Sequence, residues 1–245
     1  MRSSIPQEER LEIKKKTHRS MMYLGIFSIV MLFLGFSSGY IVSSADNTWV
    51  SITLPEAFYA SAITIVLSSI TFFIALRLAK KGNFKVLPIM MIITLVLGFL
   101  FVKFQFDGWN TLMDKKMHFV DAVKVKGLLN QEDVEYGKDF KIFHKGDELK
   151  YVDGKFYDIR DEYNSNSIEP YLDADNTASS WLYAMTGLHL LHLLAGIISL
   201  IVVTIKSLAK RYNENDIVGI QVSSIYWHFL DFLWLYLLFL LYYIG

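Results

Sequence analysis

The chain contains no cysteine. That excludes disulfides, thiolate metal sites, iron–sulfur clusters and covalent attachment of haem c. It also lacks net charge, since 24 Lys and Arg balance 24 Asp and Glu, which argues against a nucleic-acid partner. No small-residue cleavage site precedes a short apolar core near the N-terminus. No cleavable signal peptide is therefore expected, and the first apolar run reads as a true span. No stretch pairs a nucleophile with a base, forms a phosphate-binding glycine loop or sets two carboxylates as a dyad. The catalytic and metal-ligating positions expected of this chain are accordingly none.

What is present is apolar sequence. Of 245 residues 53% are hydrophobic, and the mean hydropathy is positive at +0.34. A soluble core at this length has no room for so many long apolar runs, so the composition predicts an integral membrane protein. Five runs are long enough to cross about 30 Å of hydrocarbon, near residues 21–43, 56–78, 87–106, 179–205 and 217–243. Flanking charge orients them. Arg2, Arg10, Lys14, Lys15, Lys16 and Arg19 precede the first run, Arg77, Lys80, Lys81 and Lys85 follow the second, and Lys206, Lys210 and Arg211 follow the fourth. The 44–55 connection has neither Lys nor Arg. The positive-inside rule then puts the N-terminus in the cytoplasm and the C-terminus outside.

The predicted architecture is an all-α transmembrane helix bundle of five spans with a small β-rich extracytoplasmic insertion. It divides into a cytoplasmic N-terminal tail (1–20), helices one to three (21–106), the insertion (107–178) and helices four and five (179–245). Thr53-Leu54-Pro55-Glu56 fits a helix cap, with Thr53 over the orphan amides and Glu56 reaching back. Gly35/Gly39 and Gly219/Ser223 are small residues four apart, which permits close helix packing. The insertion holds 10 basic and 16 acidic residues, a net charge of −6 (10 − 16). Its alternating runs, Phe140-Lys141-Ile142-Phe143 and Leu149-Lys150-Tyr151-Val152, are broken by His144-Lys145-Gly146-Asp147 and Asp153-Gly154. Those are hairpin signals. An acidic lobe suits a basic partner, or is simply a solvated surface.

The candidate site lies in the last two spans. His189 and His192 are three apart on one helix face, and His228 and Asp231 repeat that spacing. Counted along each helix, all four fall near mid-depth, where ionisable groups are costly. Three readings are open. His189 or His192 with His228 has the makings of a bis-histidine haem site; the four groups have those of a proton path; or Asp231 accepts a hydrogen bond from a histidine and fixes helix register, beside a lipid or subunit. Physics alone favours the last. Tyr226, Trp227, Trp234, Tyr236, Tyr242 and Tyr243 form an aromatic stripe, read as packing mid-span and as an interfacial belt at the outer end.

These residues resemble subunit III of the haem–copper oxidases. Thr186-Gly187-x-His189-x-x-His192-x-x-x-Gly196 is similar to that family's penultimate helix, and Tyr226-Trp227-His228-Phe229-x-Asp231-x-x-Trp234 to its last. Leu54-Pro55-x-x-Phe58 with Leu67-Ser68-Ser69-x-Thr71, and Thr94-Leu95-x-Leu97-Gly98-x-x-Phe101-x-x-x-Gln105 with Trp109, resemble earlier helices. The resemblance implies a non-catalytic subunit without cofactor of its own, packed against a subunit I that carries haem and copper. It also implies contacts with other oxidase subunits, phospholipid held between the helices, and support of proton uptake in a complex reducing O₂ to water. It implies the bacterial cytoplasmic membrane, and His189, His192, Tyr226, Trp227, His228, Asp231 and Trp234 as lipid or subunit contacts. Three departures stand out: Ile29 replaces a family glutamate, five helices match the shorter form rather than seven, and the 107–178 insertion is long. Length and acidity make that insertion a docking element for another respiratory complex or a cytochrome c domain, with cytochrome c favoured over quinol as donor. The alternatives are a quinol oxidase subunit III and a self-contained membrane cytochrome b using His189, His192 and His228. A small transporter is disfavoured by the lack of internal repeats.

Overall fold

The computed structural model describes residues 7–46, 48–117, 124–170, 177–213 and 217–244. Arg2 of the charged tail and residues 118–123 and 171–176 of the insertion lie outside them. Among the described residues six helices and five strands follow in order: α1 (Gln7–Ser44), β1 (Thr48–Ile52), α2 (Glu56–Lys80), α3 (Leu87–Asp114), α4 (Val125–Leu129), β2 (Phe140–His144), β3 (Asp147–Val152), β4 (Lys155–Asp158), β5 (Ser167–Ile168), α5 (Thr177–Leu208) and α6 (Val218–Ile244). All but α4 among the helices are long and apolar enough to cross a membrane.

The helices outrun their apolar cores. From Gln7 the charged tail is already helical, because it is built of straight-chain residues that lose little rotamer freedom in a helix, with Glu12 and Lys15 paired three apart at 2.8 Å. At the other end of the sequence window, α3 runs on through residues 107–114, which were read as the start of the insertion. Hydrophobic length sets where a helix can cross, not where its hydrogen bonding stops. The stops are local. Lys116 turns left-handed (φ 56) and Met117 donates back to the Leu112 carbonyl at 3.0 Å, ending α3 as a Schellman motif. Asn83 to Leu78 and Arg211 to Lys206 repeat that bond after α2 and α5, both at 3.0 Å.

The chain divides into two compact units. One comprises Met1–Phe33, Ala60–Lys103 and His189–Leu235; it contains the intramembrane histidines and is called here the histidine unit. The other, the sheet unit, comprises Leu34–Tyr59, Phe104–Leu188 and Tyr236–Gly245.

The sheet unit carries a five-stranded antiparallel sheet in the order β1-β2-β3-β4-β5. Both predicted hairpins are there. Lys145-Gly146 (φ 54 and 88) and Asp153-Gly154 (φ 50 and 80) put two successive residues at positive φ, the type I′ geometry whose twist matches the flanking strands. β1 was not foreseen as a strand. It comes from the short connection after α1 and pairs with β2 from Thr48↔His144 to Ile52↔Phe140. Five residues of an otherwise unremarkable loop give no hint of a partner some 90 positions away.

Asp139 ties this unit together. Its carboxylate accepts from Lys115 Nζ and, at 2.9 Å, from the Glu135 amide, while its carbonyl accepts from Thr53 N at 3.0 Å. Burial alone pushes the Asp139 carboxyl up, but the Lys115 ammonium and the Glu135 amide outweigh it and hold the group below its ordinary value. At the expected cap, Glu56 opens α2 and the Thr53 amide donates to the Asp139 carbonyl. Around this joint, Trp49 packs on Tyr40 (ring centroids 5.5 Å) and donates its Nε1–H to the Ile244 carbonyl at 3.3 Å. Gly39 lies so close to Trp181 that an added Cβ would sit 2.6 Å from the indole.

Candidate functional site

The histidine unit is organised around Trp227. The side chain is 1% exposed and its Nε1–H donates to Ser68 Oγ at 3.0 Å. Two glycines make the seat: a Cβ on Gly98 would come within 3.0 Å of the indole, and one on Gly196 within 2.9 Å of Leu230 and 3.4 Å of the indole. Below it α2 and α3 are joined by hydroxyls. Ser68 Oγ reaches the Thr94 carbonyl at 3.5 Å, and Thr71 Oγ1 meets Thr94 Oγ1 at 2.8 Å. In a bilayer such hydroxyls satisfy one another because water is not there to do it. Ser199 and Ser223 make the same kind of contact between α5 and α6 at 2.9 Å.

The four mid-span ionisable residues do not converge on one another. His189 is fully buried, and its Nε2–H donates to the Leu230 carbonyl at 3.2 Å, which assigns that tautomer to the neutral ring. Trp234 and Phe101 flank it at centroid distances of 5.1 and 5.9 Å. His192 turns instead toward Phe33 on α1 at 5.9 Å, and its carbonyl accepts from the Tyr226 hydroxyl at 3.0 Å. His228 points to α2: its Nδ1 is 2.6 Å from Ser69 Oγ, and its ring is 6.0 Å from Phe72. Asp231 is 4% exposed, with Oδ2 3.9 Å from His228 Nδ1. That is an ion-pair distance, too long for a hydrogen bond. The histidine expected to lean on Asp231 leans on Ser69.

Ser68, Ser69, Thr71 and Thr94 were noted in sequence only as part of a motif; the structure makes Ser68 the partner of Trp227 and Ser69 that of His228, and joins Thr71 to Thr94. Their signal was visible in principle, since four hydroxyls on the inner turns of two apolar helices need acceptors. For haem ligation the geometry is unfavourable. His189 Nε2 is bonded to a backbone carbonyl between two aromatic rings, and His228 Nδ1 is bonded to Ser69. A porphyrin would have to displace that packing. Among the described residues no cluster of three or more His, Cys, Asp or Glu is placed to hold a metal ion.

The sheet unit has polar contacts of its own. Trp109 Nε1–H donates to Thr186 Oγ1 at 3.1 Å, the Tyr183 hydroxyl donates to the Trp109 carbonyl at 3.3 Å, and Tyr236 and Ser37 hydroxyls meet at 2.9 Å. The aromatic stripe of α6 accordingly splits: Trp227 and Trp234 are buried, Tyr226 and Tyr236 make hydrogen bonds, and Tyr242 and Tyr243 are exposed.

Comparison with known proteins bears on the same region. Residues 159–245, which contain α5 and α6 whole, match the protein family described as Cytochrome c oxidase subunit III. Cytochrome c oxidase subunit 3 of Drosophila yakuba is 34% identical over 76 residues, 31% of this chain and 29% of that protein. Its counterpart in Spodoptera frugiperda is 33% identical over 76 residues, 31% of this chain and 52% of that protein. That of Pyricularia grisea is 33% identical over 79 residues, 32% of this chain and 29% of that protein. The matched stretch thus spans about half of these relatives or less.

Proposed function

We propose that the chain, whose residues 159–245 match the cytochrome c oxidase subunit III family, works as the non-catalytic subunit III of a proton-pumping haem–copper terminal oxidase. The observation that carries this reading is the α5–α6 pair itself. Two of its histidines and a tryptophan are anchored in helix packing: His189 on the Leu230 carbonyl, Trp227 on Ser68, and His228 on Ser69. That is the construction of a scaffold. Haem and copper, which supply the O₂ chemistry, belong to partner subunits.

In this reading the chain packs on subunit I, helps keep that subunit stable and supplied with protons, and holds phospholipid. Large apolar side chains left uncovered along α1, among them Leu24, Phe27, Met31, Leu34 and Val42, suit lipid tails or a neighbouring helix. Flanking charge supports a cytoplasmic N-terminus, with the C-terminus and sheet outside a bacterial cytoplasmic membrane. The acidic 107–178 segment suits a basic electron donor such as a cytochrome c or its domain, which favours a cytochrome c oxidase over a quinol oxidase.

The test is purification through a C-terminal tag in mild detergent, with mass spectrometry of what comes along and a reduced-minus-oxidised spectrum. Recovery of a haem–copper catalytic subunit is expected. A chain that purifies alone with a b-type band of its own would overturn the reading in favour of a membrane cytochrome b.

A further inference from the structure

A cleft of about 590 Å³ opens in the sheet unit between the short helix α4, the β3–β4 hairpin and the edge strand β5. That is the size of sites that take small organic molecules. Tyr151, Phe156 and Ile168 give it an apolar wall, with the Tyr151 and Phe156 ring centroids 4.8 Å apart. Phe156 is buried, whereas Tyr151 is 40% exposed and keeps ring surface uncovered. Asn130 and Ser167 bring an amide and a hydroxyl to the same lining.

Charge sets the cleft apart from the lobe around it. Lys126 and Lys155 both line it, and neither ammonium has an ion pair or a hydrogen bond among the described residues. Elsewhere in the insertion Lys115, Lys138, Lys141 and Arg160 are paired with carboxylates, and Lys150 Nζ donates to the Asp161 carbonyl. Lys116 and Lys145, also without an ion pair among the described residues, sit at left-handed turn positions. Glu169 is the one carboxylate on the lining among those residues, and it pairs with neither lysine. The segment holds 16 acidic residues against 10 basic, yet these two ammonium groups are kept from an acid. They leave a positive site in an acidic surface. Screening over about 8 Å at physiological ionic strength lets them outweigh carboxylates farther away.

We propose that this cleft binds a small organic anion, a carboxylate or phosphate carried on an aromatic or aliphatic body. Lys126 and Lys155 take the anionic group through charge-assisted hydrogen bonds, and Asn130 and Ser167 donate to its remaining oxygens. The body lies on Tyr151, Phe156 and Ile168, where it covers apolar surface that water now meets. Local structure places the two cations: α4 carries Lys126, and Lys155 follows directly on the Asp153-Gly154 turn, whose type I′ geometry fixes where it leaves the hairpin. Nothing in the cleft depends on which complex the chain belongs to, so a chain that purifies alone serves the test as well as an assembled one.

The full chain is purified and its lysines are ¹³C-dimethylated, which keeps their charge, and phenyl phosphate is titrated in. The Lys126 and Lys155 signals, assigned through Lys126→Gln and Lys155→Gln, are expected to shift together and saturate while that of Lys138 stays in place. Both side chains are exposed, so these variants keep the fold. Each is expected to weaken binding about threefold, the scale of one solvent-exposed ion pair, and the double variant about tenfold. In the double variant the ³¹P line width of phenyl phosphate gives the affinity. Inorganic phosphate is expected to bind several-fold more weakly, and benzyl alcohol, which has the body without the charge, to leave the lysine signals unmoved. No saturable shift, an unchanged affinity in the double variant, or an equal loss in Lys138→Gln overturns the proposal. Inorganic phosphate binding as tightly as phenyl phosphate overturns it too, since the apolar wall would then hold nothing.

Discussion

The histidine unit and the sheet unit hold their polar groups by different means. In the sheet unit, charges meet opposite charges: Asp139 with Lys115, Glu148 with Lys141 at 2.8 Å, and Arg160 with Asp147 and Asp158 at 2.7 and 2.8 Å. The Arg160 guanidinium, bonded to both carboxyl oxygens of Asp158, drives that acid down to about 2. Where the histidine unit spans the membrane, the hydrogen-bond partners are neutral hydroxyls, carbonyls and indoles. The difference follows from the solvent. Water screens and rehydrates ions that separate, so an exposed pair is cheap to make and cheap to lose. A spanning helix has no such reserve, so each polar group there needs a fixed neutral partner, and one left without it, like Asp231, is costly.

Breaking that contrast from the membrane side is expected to have the largest effect. Trp227→Ala removes a buried indole seated on two glycines and strands Ser68, at a cost of about 3–4 kcal/mol. Thermal melting in detergent, or the yield of assembled complex, measures it, and a loss below about 1 kcal/mol would deny Trp227 its place at the centre of the packing. Next comes Ser69→Ala, which leaves His228 Nδ1 without its bond at about 1–3 kcal/mol. Asp231→Leu is expected to cost less than Ser69→Ala, because no hydrogen bond to Asp231 is broken. The reverse order in paired melts would mean that His228 leans on Asp231 after all.

On the sheet side, Asp139→Ala releases both the Lys115 pair and the Glu135 amide, for about 1–2 kcal/mol. Its pH dependence has a definite sign. The folded-state value is depressed, so this stabilisation is present above the ordinary carboxylate value of 3.8 and is lost as pH falls through the lower folded one. Sheet circular dichroism or hydrogen exchange at strands β1 and β2, followed downward from neutral pH, checks it. A variant with the same acid profile as wild type would clear Asp139 of that role. Smallest is Gly154→Ala, which forces a Cβ to φ +80 in the second hairpin and is expected to cost about 1 kcal/mol. An unchanged melt would mean the turn relaxes to another type.

Legibility in the sequence followed the range of the interaction. The Lys145-Gly146 and Asp153-Gly154 hairpins were readable because a type I′ turn is specified by two adjacent residues. The spanning helices were readable because hydrophobic length is a local sum. β1 was not, since its pairing with β2 depends on residues far along the chain. Nor were the true neighbours of the site. His189 with His192 and His228 with Asp231 singled out the last two helices by type and spacing, and the motif resemblance there agrees with the family match over residues 159–245. The resemblance read from α2 and α3 rests on their motifs alone.

By itself, then, the amino-acid order determined the membrane spans, the charge asymmetry around them, both hairpin turns and the motifs by which the last two helices resemble a known family. These depend on solvent transfer and on short-range backbone preference, which act within a few residues. Only the tertiary structure decided that His189 faces a carbonyl between aromatic rings, that Ser69 rather than Asp231 holds His228, and that Asp139 joins β2 to the start of α2. Which partner a buried polar group takes depends on helix rotation and packing. Those are settled by steric fit among distant segments, such as the seat that Gly98 and Gly196 leave for Trp227.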